Sequence, residues 1–166
     1  QPGDILVLIG RGPLGTGMEE TYQLTSALKF LKWGKEVAIV TDARFSGVST
    51  GACIGHVGPE ALANGPIGRV QDGDRIEIIV DRNKLTGSVN LVGTAEKELT
   101  PEQAQAMLDS RDTWSDLQQD AALHSDTRLW AALQKVGGGT WGGCVYDVDR
   151  IVETLEAGAK ALSEEA

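Results

Sequence analysis

Two short, unbroken apolar runs near the start constrain this chain most: Ile5-Leu6-Val7-Leu8-Ile9, and Val37-Ala38-Ile39-Val40 within Glu36–Thr41. A run of this length without alternation fits a strand covered on both faces. Each closes on a polar, glycine-rich segment, Gly10–Met18 after the first and Asp42–Gly51 after the second. Between them Leu24, Ala27, Leu28 and Leu31 recur at helical spacing, which predicts a helix from about Glu19 to Trp33, stopped at Gly34. Strand, loop, helix, strand in that order is a β-α-β unit, with its loops gathered at one edge of a parallel sheet.

Further along, Cys53–Val57 reads as a short strand or loop, and Pro59–Ala63 as one or two helical turns with proline first. Arg75–Val80 and Lys84–Val92 read as a hairpin turning at Asp81–Asn83, with Gly87 a weak point or bulge. Thr100 caps a helix that Pro101 opens. Ser110–Asp126 is polar and weakly patterned. Thr127–Val136 and Asp147–Ala161 read as helices separated by a glycine loop, and Ser163–Ala166 as a frayed tail. The first hundred residues therefore mix β-α-β with antiparallel β, an α/β chain.

Fifteen Lys and Arg stand against twenty-four Asp and Glu, a net charge of −9, which argues against a sequence-independent grip on nucleic acid. No apolar run is long enough for a membrane-spanning helix. Two cysteines, Cys53 and Cys144, make neither a disulfide framework nor an iron–sulfur site, and a reducing cytoplasm is the simplest setting. They and the lone His56 read as packing or loop residues, and His124 as exposed. The four tryptophans do not interleave with basic residues and read as packing or subunit-contact groups. Glycine is in excess at twenty-one residues, thirteen of them before residue 74, so any chemistry is expected in the first half.

The Gly10–Gly17 loop between strand and helix suggests anion binding, since backbone N–H groups at a helix start favour negative charge. It lacks the Gly-Lys-Ser/Thr ending of a P-loop, Pro13 removes a donor, and Glu19-Glu20 would repel phosphate. A structural loop, a cation-binding carboxylate and a helix-start glutamate that only favours the dipole all remain open there. Ser46, in Asp42-Ala43-Arg44-Phe45-Ser46-Gly47, is not on a hydrolase elbow, because Arg44 stands two residues before it. A nucleophile or base and a turn serine bonding its own backbone both fit.

Four phrases in order resemble one family: Gly12-Pro13-Leu14-Gly15-Thr16-Gly17-Met18-Glu19-Glu20, Thr41-Asp42-Ala43-Arg44-Phe45-Ser46-Gly47, Gly55-His56-Val57-Gly58-Pro59-Glu60-Ala61 and Gly65-Pro66-Ile67. This resembles the C-terminal domain of the dihydroxy-acid and phosphogluconate dehydratases, over roughly residues 5–95. Asp126–Trp130 and Gly138–Trp141 are similar to a sugar-acid subgroup that includes xylonate dehydratases. The resemblance implies a swivelling β/β/α domain with a mixed, barrel-like sheet flanked by helices. It implies a single C-terminal domain over 1–166, with a core of about 1–95, a helical extension of about 100–166, and a separate N-terminal, cluster-binding domain of the same polypeptide as partner. It implies a hydro-lyase that turns a 2,3-dihydroxy sugar acid such as xylonate into a 2-keto-3-deoxy acid with an iron–sulfur cluster and Mg²⁺. Neither cofactor is expected to be held by these residues alone, and the chain alone is expected to be inactive. By position, Glu20 matches the Mg²⁺-ligating glutamate, Ser46 the serine that acts as base, and Ser49 a residue of the substrate pocket. A homo-oligomer is also expected. The rival readings are a non-catalytic binding or assembly domain and a phosphate-binding α/β domain.

Overall fold

The computed structural model describes residues 1–164, so Glu165 and Ala166 of the expected frayed tail lie outside the described residues. The chain forms two compact units. One comprises residues 1–68 with the described residues from 116 onward, and the other residues 69–115.

The first unit is built on a parallel sheet in the order β1-β2-β3, with β1 at Ile5–Leu8, β2 at Ala38–Thr41 and β3 at Ala52–Ile54. Register runs Leu6↔Ile39 and Val7↔Val40 on one side of β2, and Ile39↔Cys53 on the other. The expectation of two doubly covered strands holds for β2, where Ile39 and Val40 are buried, but not for β1. As an edge strand, β1 leaves Leu6 exposed. All three strands run the same way, so Gly10, Asp42 and Gly55 follow their ends at one edge.

The predicted Glu19–Trp33 helix is much shorter. Met18 takes a left-handed φ of 62°, and Glu20 pairs with Arg44 as an isolated parallel bridge instead of starting a helix. Helix α2 spans Gln23–Leu28, after which Phe30 and Leu31 donate to the tighter Ala27 and Leu28 carbonyls. Leu24, Phe30 and Leu31 stay exposed, so little packing supports further turns. Conversely, the Gly10–Met18 loop holds an unpredicted helical turn, α1, at Pro13–Thr16. Pro59 does not open a helix either: Glu60 is extended, and a 3-10 turn follows at Ala61–Ala63.

Helix α4 (Ser125–Val136) packs on α1 and buries Ala131 and Gln134. Gly17, at φ +74°, must be glycine, because a Cβ there would lie 2.1 Å from Thr127 Cγ2 of α4. The weakly patterned stretch before α4 lies along the same loop: Gln119 Nε2 donates to Leu14 O (2.8 Å) and Asp120 N to Gly15 O (3.0 Å). Helix α5 (Val148–Glu164) includes Ser163 and Glu164, which were expected to fray, and buries no residue.

The second unit is an antiparallel hairpin, β4 (Arg75–Asp81) with β5 (Thr86–Gly93), and helix α3 (Pro101–Ser110). The irregularity lies at Arg75/Ile76 rather than at Gly87, which pairs normally with Val80. Thr100 caps α3 as expected, and Gln103 completes a capping box. Arg111 grips Asp74 with two bonds, of 2.6 and 2.9 Å. Burial pushes the Asp74 carboxyl upward, but the bonds from Arg111 and Gln71 N–H and the Arg111 charge outweigh it and hold it below its ordinary range.

The chain is thus mixed α/β with parallel and antiparallel pairing, and no closed barrel is present among the described residues. No described helix is long and apolar enough to cross a membrane.

Candidate functional site

The site begins with the loops at the C-terminal edge of the parallel sheet. Asp42, directly after β2, is fully buried. Its carboxylate accepts the backbone N–H groups of Gly10 (3.0 Å), Arg11 (2.9 Å) and Ala61 (3.0 Å), so one side chain ties the ends of three segments together. Glu60, 3% exposed, accepts Leu14 N–H with both oxygens, at 2.9 and 3.0 Å. Burial drives the Glu60 carboxyl up to about 7. The Leu14 N–H opposes this, and the nearby Asp42 charge adds to it.

These bonds answer the anion question posed by the glycine loop. Its amides do face acidic side chains, but these are the protein's own Asp42 and Glu60. Gly15, Thr16, Gly17 and Met18 donate to the Gly12 and Pro13 carbonyls. The amides of Gly10, Arg11 and Leu14–Met18 are thus engaged within the protein itself.

On this foundation stands the Glu20↔Arg44 bridge. Thr21 N donates to Arg44 O (2.9 Å), Arg44 N to Glu19 O (3.4 Å), and Arg44 Nε to Met18 O (2.8 Å). The bridge lays the segment of Glu20 beside the turn of Ser46, so two predicted site residues come from neighbouring strands of backbone. Glu19 and Glu20 separate sharply. Glu19 is ion-paired to Arg11, while Glu20 is exposed and no ion pair holds it among the described residues. Ser46 is half-buried, and its Oγ accepts Val48 N–H at 3.1 Å, the local bond expected of a turn serine. That donor also favours a charged Oγ. Ser49 is directed elsewhere, with its Oγ 3.4 Å from Thr25 Oγ1 of α2.

Among the described residues, no three His, Cys, Asp or Glu side chains group as a metal site. Glu20 fits as a single oxygen ligand to Mg²⁺, with the remaining ligands coming from elsewhere. The cysteines do not fit a cluster. Both are half-buried rather than buried, the Cys53 thiol points to Thr50 O (3.5 Å), and burial pushes it up. His56 is exposed at φ 56°.

Sequence reasoning missed Asp42 and Glu60. The available signal was an acidic residue directly after a buried strand, and another amid small apolar residues.

The loops that follow the parallel strands of this mixed α/β chain gather at one edge of the sheet, the place where ligands of α/β domains commonly sit. Comparison makes this specific: the dihydroxy-acid/6-phosphogluconate dehydratase C-terminal family matches residues 1–129, and the chain belongs to that family. It is 66% identical over 160 residues to the D-xylonate dehydratase YagF of Escherichia coli, covering 96% of this chain and 24% of that protein. To the D-xylonate dehydratase YjhG of the same organism it is 64% identical over 155 residues, covering 92% and 24%. To a dihydroxy-acid dehydratase of Dinoroseobacter shibae it is 37% identical over 145 residues, covering 87% and 22%. The chain thus spans about a quarter of the length of these relatives.

Proposed function

We propose that this chain is the single C-terminal domain of a sugar-acid dehydratase, a hydro-lyase that converts a 2,3-dihydroxy acid such as xylonate to a 2-keto-3-deoxy acid. The observation that carries this reading is the Glu20↔Arg44 backbone bridge, which runs the Glu20 segment alongside the stretch that leads into the Ser46 turn. Membership of a dehydratase family and 64–66% identity to two xylonate dehydratases support the substrate class.

In this mechanism Ser46 Oγ takes the C2 proton. A neutral serine is far too weak a base, so Oγ must be held as an alkoxide by donors and nearby positive charge. Val48 N–H supplies one such donor. As the C2 proton moves to Oγ, the C3 hydroxyl leaves and is protonated to water, Oγ giving up its proton in turn, so that one water is lost and the enol left behind tautomerises to the 2-keto acid. Glu20 contributes an oxygen to Mg²⁺, and the chemistry a bound Mg²⁺ supplies is stabilisation of the negative charge that develops towards the substrate carboxylate. Ser49 is assigned to the edge of the substrate pocket by its family position alone, since its Oγ faces Thr25 of α2 here. An iron–sulfur cluster belongs to the proposed enzyme as well, with its ligands in an N-terminal domain, since Cys53 and Cys144 do not fit that role.

The swivelling, barrel-like arrangement, homo-oligomeric assembly and a cytoplasmic setting belong to the same proposal. The test is formation of a 2-keto acid from five- and six-carbon aldonic acids, followed with a carbonyl reagent. The full-length enzyme is expected to form it and the 166-residue chain alone is not. Product formed by the chain alone contradicts the division of labour proposed here.

A further inference from the structure

Beside the Glu20–Ser46 edge lies an open cavity of about 540 Å³, within the range of small-molecule pockets. Met18 and Arg44 form one wall, two residues from Glu20 and Ser46 respectively, and His56 adjoins them. The opposite wall is the start of α4, with Asp126, Thr127 and Trp130. Asp126 and Trp130 are four residues apart on a helix, so a carboxylate and an indole share one face.

The chemistry of these walls selects a ligand. No ion pair joins Arg44 and Asp126 among the described residues, so both keep hydrogen-bonding capacity. Asp126 disfavours a plain anion and Arg44 a plain cation. A neutral chain of hydroxyl groups suits both, because each hydroxyl donates and accepts. Its C–H edges would lie against the indole. The first-turn amides of α4 have no side-chain cap, which adds donors to the same wall.

We propose that this cavity receives the hydroxyl-bearing carbons of the sugar acid beyond C3, and that Asp126 and Trp130 determine specificity for a polyhydroxylated substrate. The inference rests on the dehydratase reading above and names the part of its substrate that α4 recognises.

The test is a KM-against-kcat split in the full-length enzyme with D-xylonate and other aldonic acids. Asp126→Asn and Trp130→Ala are each expected to raise KM about tenfold and to change kcat less than about twofold, the pattern of lost ground-state binding. Asp126 is exposed, so its substitution leaves packing intact, and Trp130→Phe serves if the alanine variant does not fold. A wild type that turns over an aldonic acid while the variants keep its KM, or lose only kcat, overturns the pocket alone. A wild type inert on every aldonic acid overturns the dehydratase reading and this inference with it.

Discussion

Replacing Glu60 with glutamine probes the buried carboxylate foundation of the site through its pH dependence. Glu60 is almost wholly buried, and its carboxyl is raised from 4.5 to about 7 in the folded chain, chiefly by burial. Between those two values the folded state holds a proton that the unfolded state has released. Stability from this group is therefore fully present below pH 4.5 and is lost as pH rises through 7. At 1.36 kcal/mol per pH unit, the raised carboxyl corresponds to about 3 kcal/mol. Glutamine does not titrate, yet keeps an oxygen to accept Leu14 N–H. The assay is urea unfolding of both chains at steps from pH 4.5 to 8. The stability of the wild type relative to Glu60→Gln is expected to fall by about 3 kcal/mol across that range. The low-lying Asp74 carboxyl titrates below this window and is common to both chains. A difference that stays flat, or rises with pH, would refute the assignment of a protonated, burial-dominated Glu60.

Other outcomes follow from the same geometry. Asp42→Ala strands the N–H groups of Gly10, Arg11 and Ala61, and is expected to destabilise the chain by about 3–5 kcal/mol in chemical denaturation. Gly65→Ala would set a methyl carbon 1.7 Å from Pro59 O, and a loss of at least about 3 kcal/mol is expected in the same assay. Arg111→Ala leaves the Asp74 carboxylate, 3% exposed, without its cation. Hydrogen exchange is expected to show lost protection in the β4–β5 hairpin, at a cost of about 3 kcal/mol; unchanged exchange would count against that pair as a support.

Much of the scaffold was legible because it is local. The apolar run of β2, the hairpin and the Thr100-Pro101 start of α3 each carry their signal within a few residues. Helix α2 was overextended because Leu24 and Leu31 recur at helical spacing whether or not anything covers them, and here they stay exposed. The roles of Asp42 and Glu60 could not be read from spacing: their amide partners are up to 32 and 46 residues away, and only the folded sheet edge brings them together. The segment before α4 was opaque for the same reason, since its bonds reach back to Leu14 and Gly15. Ser46 and Glu20 were found through the order of family phrases. Their spacing alone fitted a turn serine and a helix-start glutamate. The structure retains the local turn bond of Ser46 and removes the helix start from Glu20, which joins Arg44 in a bridge instead.

The central claim is that Ser46 Oγ removes the substrate proton. Its most direct measurement is turnover of the full-length enzyme carrying Ser46→Ala, with circular dichroism and melting recorded beside it. The Oγ bond to Val48 N is local to an accessible turn, so the variant is expected to fold and melt like the wild type. Turnover of the sugar acid is expected to fall by at least about a thousandfold, in keeping with loss of a general base and its positioned charge. A folded Ser46→Ala enzyme with near-normal turnover would contradict the account and favour a domain that binds or assembles without taking part in the chemistry.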